Sequence, residues 1–129
     1  MFRQGVLFLL AAGAALPALA QTSTVNPLFQ ADVDDVSNQE IVVLEVRYPP
    51  GVKSASHRHN AHTVVYVLEG TVIMQVAGGE RKTLTAGEVF YENPDDIHSV
   101  SMNASDTEPA RILVYFLKEK DAPTTEPAP

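Results

Sequence analysis

From about residue 28 onward the hydrophobic and polar positions alternate in short runs. Val42, Leu44, Val46 and Tyr48 alternate with Val43, Glu45 and Arg47, as on a strand with one buried face. Pro49-Pro50-Gly51 ends that run. A β-branched and aromatic run, Thr63 to Leu68, stops at Glu69-Gly70, and the pattern resumes over Thr71 to Ala77 before Gly78-Gly79 turns the chain. Lys82 to Thr85, Val89 to Glu92, Ile97 to Met102 and Arg111 to Leu117 continue it, with Gly87 and Asn93-Pro94-Asp95-Asp96 as turns. No long helical periodicity interrupts this series. Many short strands separated by turns predict an all-β sandwich or closed barrel. Val65, Val67, Val72, Met74, Leu84, Phe90, Ile112, Val114 and Phe116 are the expected lining. Tyr66 and Tyr91 are expected on the outer face or in a dimer contact, and Arg111 and Glu40 as a cross-strand surface pair.

The two ends of the chain read differently. Residues 1–20 open with Arg3, run uncharged from Gly5 to Leu16 and close on Ala18-Leu19-Ala20, the pattern of a cleaved secretory signal. An uncleaved N-terminal anchor is the alternative. A cleaved signal implies a periplasmic or secreted protein with residues 21–120 as its domain. Residues 121–129 hold three prolines and no large apolar side chain, which predicts a disordered tail. The segment Gln21 to Asn26 is expected to be loose as well.

Composition narrows the chemistry. The 129 residues allow one domain, and a hydrophobic fraction of 45% supplies an ordinary core. The absence of cysteine excludes disulfides, thiolate metal ligands and a cysteine nucleophile. The formal charge is −7, and −8 once Arg3 leaves with the signal. Such a surface repels phosphate backbones and anionic lipid, so no nucleic-acid partner is expected, and no membrane partner after signal removal.

Three of the four histidines are placed for a common task. His57 and His59 are two apart, so on a strand both imidazoles point to one face. His98 follows the Asn93 to Asp96 turn on a later strand. Neutral imidazoles bind divalent transition metals, although a His-X-His pair alone is better explained by solvated rings at a strand end. His62 has the opposite parity to His59 and is expected to point outward, unless a loop at Asn60-Ala61 breaks the parity and turns it in as a ligand. Asn103-Ala104-Ser105 matches a glycosylation acceptor, a pattern common by chance.

The spacing of these residues resembles a known family. Gly51, His57, His59 and Tyr66-Val67-Leu68-Glu69-Gly70 resemble the first motif of the cupin superfamily. Gly87, Asn93-Pro94-Asp95-Asp96-Ile97-His98 and Asn103 resemble the second. The resemblance covers about residues 28–117 and is greatest to small exported single-domain cupins. It implies a double-stranded β-helix, a jelly-roll barrel with a metal inside one mouth held by three histidines and a glutamate. Here the histidines are His57, His59 and His98, but the glutamate position, four residues after the second histidine, is Thr63. If Phe90 faces inward then so does Glu92, which would let its carboxylate replace the missing ligand or serve as a nearby acid or base.

The resemblance implies one divalent transition metal, iron, manganese, zinc or nickel, and a small-molecule substrate or ligand. One reading is a metalloenzyme of the oxygenase, isomerase or lyase type acting on a small polar molecule, with Glu92 or Tyr91 moving a proton. The alternative is a non-catalytic periplasmic module binding a small molecule or metal. A homodimer formed through strand edges fits either reading.

Overall fold

A computed structural model describes residues 20–129. The signal expected over residues 1–20 therefore lies almost wholly outside the described residues. The strands are β1 (Thr24–Asp32), β2 (Gln39–Tyr48), β3 (His57–Arg58), β4 (Ala61–Glu69), β5 (Thr71–Val76), β6 (Lys82–Thr85), β7 (Val89–Glu92), β8 (His98–Asn103), β9 (Ala110–Glu119) and β10 (Glu126–Pro127). Among the described residues there is no helix. Two five-stranded antiparallel sheets form, in the orders β1-β2-β9-β4-β7 and β10-β3-β8-β5-β6. Apart from the hairpins β1–β2 and β5–β6, consecutive strands are split between the sheets, which makes the double-stranded β-helix.

The expected alternation decides which face of each strand is buried. Inward side chains of β2, β9 and β4 lie in rows, with Leu44 opposite Val114 and Val114 opposite Val65. All nine side chains expected to line the barrel are buried, and Val67, Val72 and Met74 are fully so. Tyr66 and Tyr91 are exposed on the outer face, as their parity requires.

The chain changes sheets between β3 and β4 at Asn60, whose φ of 50° makes the corner. Asparagine tolerates this left-handed conformation better than most residues. The next corner is Gly70, with φ +76°; a Cβ there would sit 2.5 Å from the Pro109 carbonyl oxygen. Asn103 ties down the far end of the barrel. Its buried amide nitrogen donates to the carbonyls of Tyr48, Pro49 and Glu108 at 3.3, 3.2 and 2.7 Å. With that nitrogen enclosed and engaged, the glycosylation pattern at Asn103 is a chance match in the folded protein.

Three expectations change. Residues 121–129, which composition predicts as disordered, run back along the second sheet, where Glu126 pairs with Arg58 and Pro127 with His57. The Asn60 side chain donates to Glu126 at 2.7 Å. The segment expected to be loose at Gln21 to Asn26 already enters β1 at Thr24, where it pairs with Arg47. Glu40 and Arg111 do not meet. The register sets Glu40 opposite Lys118, and the two form a buried ion pair. Arg111 contacts Glu45 and Glu69 instead.

Candidate metal centre

The site is assembled where the two sheets face each other. β3 brings His57 opposite His98 of β8. His59 follows β3 just before the Asn60 corner and packs on Phe116 of β9, ring centroids 4.8 Å apart. Phe90 stacks on His98 at 5.7 Å. The three imidazoles each offer a nitrogen, and these nitrogens all lie within 4.8 Å of one another. The parity expected for His57 and His59 therefore holds, and His98 joins them.

Two of the rings are held by backbone carbonyls. His57 Nδ1 donates to the Ala55 carbonyl at 2.7 Å, and His59 Nδ1 donates to the Thr124 carbonyl at 2.6 Å. A carbonyl can only accept, so both Nδ1 atoms carry the proton and both Nε2 lone pairs are left free. Burial lowers the pKa of both imidazoles, with the Glu92 carboxylate partly opposing it at each ring. Neutral rings with a free Nε2 are the form that ligates a metal.

Glu92 is the acid of the site. It ends β7, faces inward and is only 1% exposed. Its Oε2 lies 3.2 Å from His98 Nδ1 and 3.8 Å from His59 Nε2. The contact with His98 is too poorly aligned to be a hydrogen bond. Both carboxylate oxygens and both ring nitrogens of His98 are buried without a partner. Four unpartnered polar atoms in one place are costly unless something else satisfies them. A divalent transition metal among the imidazoles would engage one His98 nitrogen and the carboxylate, and a donor set of imidazole nitrogens with a carboxylate suits one. The three histidines could thus hold a metal ion.

Thr63 also faces inward and is fully buried, but its hydroxyl donates to the Ala61 carbonyl at 3.3 Å. In the register of β4 and β7 it stands directly opposite Glu92. His62 points outward and pairs with the Tyr91 hydroxyl at 2.6 Å on the outer face. Tyr91 consequently cannot move a proton at the site, contrary to expectation, because adjacent residues of a strand face opposite sides.

A cavity of about 580 Å³ adjoins the histidines. Its wall is apolar, formed by Leu44, Val46, Val65, Ile112, Val114 and Phe116. Ser23, Val25, Thr124, Thr125 and Pro127 also line it, so both ends of the described chain border the cavity. At its far end stand Tyr48, Ser54 and Ser101, linked by their hydroxyls. Neither the hydroxyl group nor the Thr124 carbonyl carries a sequence motif. Only the placement of Tyr48 on the inward face of its strand was readable.

Residues 44–116 match the Cupin domain family. The beta-alanine degradation protein BauB of Pseudomonas aeruginosa is 35% identical over 72 residues, covering 54% of this chain and 75% of that protein. A cupin-like protein of Thermotoga maritima superposes with a TM-score of 0.65 at 22% identity, covering 82% of this chain and 75% of that one. The DMSP lyase DddQ of Ruegeria pomeroyi superposes at 0.60 with 17% identity, covering 71% of this chain. This chain spans only 44% of that lyase. At these identities the two superpositions speak for the fold.

Proposed function

The chain belongs to the cupin family, and on that premise we propose that it is an exported metalloenzyme acting on a small polar molecule, with His57, His59, His98 and Glu92 as its metal ligands. The observation that carries this reading is the buried carboxylate of Glu92, unpartnered and turned toward the unpartnered ring of His98. A neutral threonine stands where the family places its acid, and Glu92 stands across from it. A bound divalent metal would supply Lewis acidity or redox chemistry of the oxygenase, isomerase or lyase kind. The chain's own residues do the rest. The carbonyls of Ala55 and Thr124 hold two rings with Nε2 free. Phe116 and Phe90 pack beside the imidazoles and keep water from that side. Glu92 has a second oxygen with which to accept or return a proton.

Metal analysis of untagged protein tests the proposal. The parent carries one equivalent of iron, manganese, zinc or nickel, and the double variant His57→Ala with His59→Ala carries none, whereas His62→Ala keeps it. Equal loss from His62→Ala overturns the ligand set. The apolar cavity wall supports a second reading, a non-catalytic module that holds a small molecule. Turnover-free binding by metal-loaded protein would favour it.

Export rests on residues 1–20 and predicts a mature chain beginning at Gln21. An intact mass from the native host that still includes Met1 to Ala20 rules out cleavage there. A homodimer is supported by Tyr66, Val89, Tyr91 and Tyr115, which are exposed on the first sheet's outer face. Sedimentation at the mass of one chain would exclude it.

A further inference from the structure

The inner face of the second sheet carries two polar tiers. The first is His57 opposite His98. Before β3, Ser54 lies against Ser101 of β8, with the Ser54 amide donating to the Ser101 carbonyl at 2.9 Å. A bulge in β8 turns both tiers inward and sets His98 and Ser101 opposite Val76 and Met74, two residues apart on β5, so the tiers are separated by roughly 7 Å. Tyr48 reaches across from the first sheet and places its hydroxyl 2.9 Å from Ser54 Oγ and 2.8 Å from Ser101 Oγ. Tyr48 and Ser101 are almost fully buried, and all three residues face the cavity that the histidines also line.

The protons can be counted. Three hydroxyls hold three protons, and the two hydrogen bonds among them use two. A tyrosine hydroxyl donates only once, so whichever way the bonds run, one O–H is left over. No further partner for it is seen among the described residues. We infer that this Tyr48–Ser54–Ser101 cluster is a second ligand subsite, which takes a hydrogen-bond acceptor at the tail of a substrate whose anionic head lies at the histidines. The inference rests on the metal-site reading for the head group alone. An aliphatic body suits the cavity, because Leu44, Val46, Val65, Ile112 and Val114 line it. At about 1.5 Å a bond, a keto oxygen five bonds from a carboxyl carbon, as in a six-carbon acid, bridges that distance. A cavity of about 580 Å³ is far larger than a two-carbon acid needs. The ligand class is thus a medium-chain acid bearing a keto or similar acceptor near its far end.

Hexanoate and 5-oxohexanoate are the probes, since they differ by one carbonyl oxygen. Calorimetric titration of the full-length protein should show 5-oxohexanoate binding about tenfold more tightly, the effect of one added hydrogen bond. The variant Tyr48→Phe with Ser54→Ala and Ser101→Ala removes all three oxygens together, which spares the fold the penalty of orphaning one partner. It should bind the two acids within about twofold of each other. A parent that treats the acids alike, a parent that binds neither, or a variant that keeps the preference overturns the subsite. Should the variant fail to fold, a crystal structure of the parent with 5-oxohexanoate decides: a keto oxygen bonded to one of the three hydroxyls supports the subsite, and one elsewhere overturns it. Metal content measured on the same samples separates the two readings. Metal without preference overturns this inference only, and preference without metal overturns the metal ligands only.

Discussion

Glu92 and Thr63 occupy facing positions on neighbouring strands. Side chains paired this way have Cβ atoms about 5 Å apart on one face of the sheet. A carboxylate leaving either position therefore enters the same space beside His59 and His98, which is the physical basis for moving the acid from one strand to the next. Parity along β7 was enough to expect Glu92 inward. The register that sets it against Thr63 depends on tertiary pairing and could not be read from either strand alone. Glu92→Gln keeps the size and removes the charge, and should weaken metal binding by about 10–100-fold in competitive titration. Thr63→Glu in that background should recover part of the loss. Thr63→Ala should change metal affinity little, because the threonine hydroxyl is spent on the Ala61 carbonyl. Parent-like affinity in Glu92→Gln would leave a three-histidine centre and a carboxylate without a metal role.

The longer strands from β2 onward were legible because each shows its period of two against a single buried core, as in β2, where inward and outward positions alternate along its whole length; β1, mostly exposed, shows no such period. The two short ones were not legible. β3 and β10 are two residues each, too short to display a period. The tail was read as disordered because its side chains are poor in apolar area. Its order comes from the backbone, which composition does not report: Ala128 N donates to the Ser56 carbonyl at 3.2 Å, and the Thr124 carbonyl accepts from His59 at 2.6 Å. A terminal strap that orients a ligand ring should matter to the site more than to the fold. Truncation after Asp121 leaves all five strands of the first sheet intact. It should lower metal affinity by about tenfold or more, the usual loss when a ligand's outer hydrogen bond is removed. Circular dichroism should remain strand-like. Unchanged affinity in the truncated chain would mean that His59 holds its orientation through Phe116 alone.

At the scale of the whole molecule, the site is a place where the fold buries polar groups together, and its stability should depend on pH accordingly. His57 and His59 have their pKa lowered by burial from the ordinary value of 6.5. Below that value the unfolded chain takes up protons that the folded chain resists. The unfolded state then binds more protons, so stability rises with pH through this range and falls as the solution is acidified. The buried Glu40 acts lower down. Hydrogen bonds from Lys118 and Gln30 hold its carboxyl below the ordinary value of 4.5, so its contribution is complete above that value and is lost only in stronger acid. The window from about pH 7.5 to 5.5 therefore isolates the histidines. In metal-free protein prepared by chelation, the thermal midpoint should decline across that window. His57→Ala with His59→Ala should flatten the decline. Added metal should raise the midpoint at pH 7.5 and raise it less at pH 5.5, because protons compete for the same lone pairs and the stabilisation follows the fraction of protein that binds. A decline as steep in the double variant as in the parent would place the pH dependence elsewhere and remove the buried histidines as its cause.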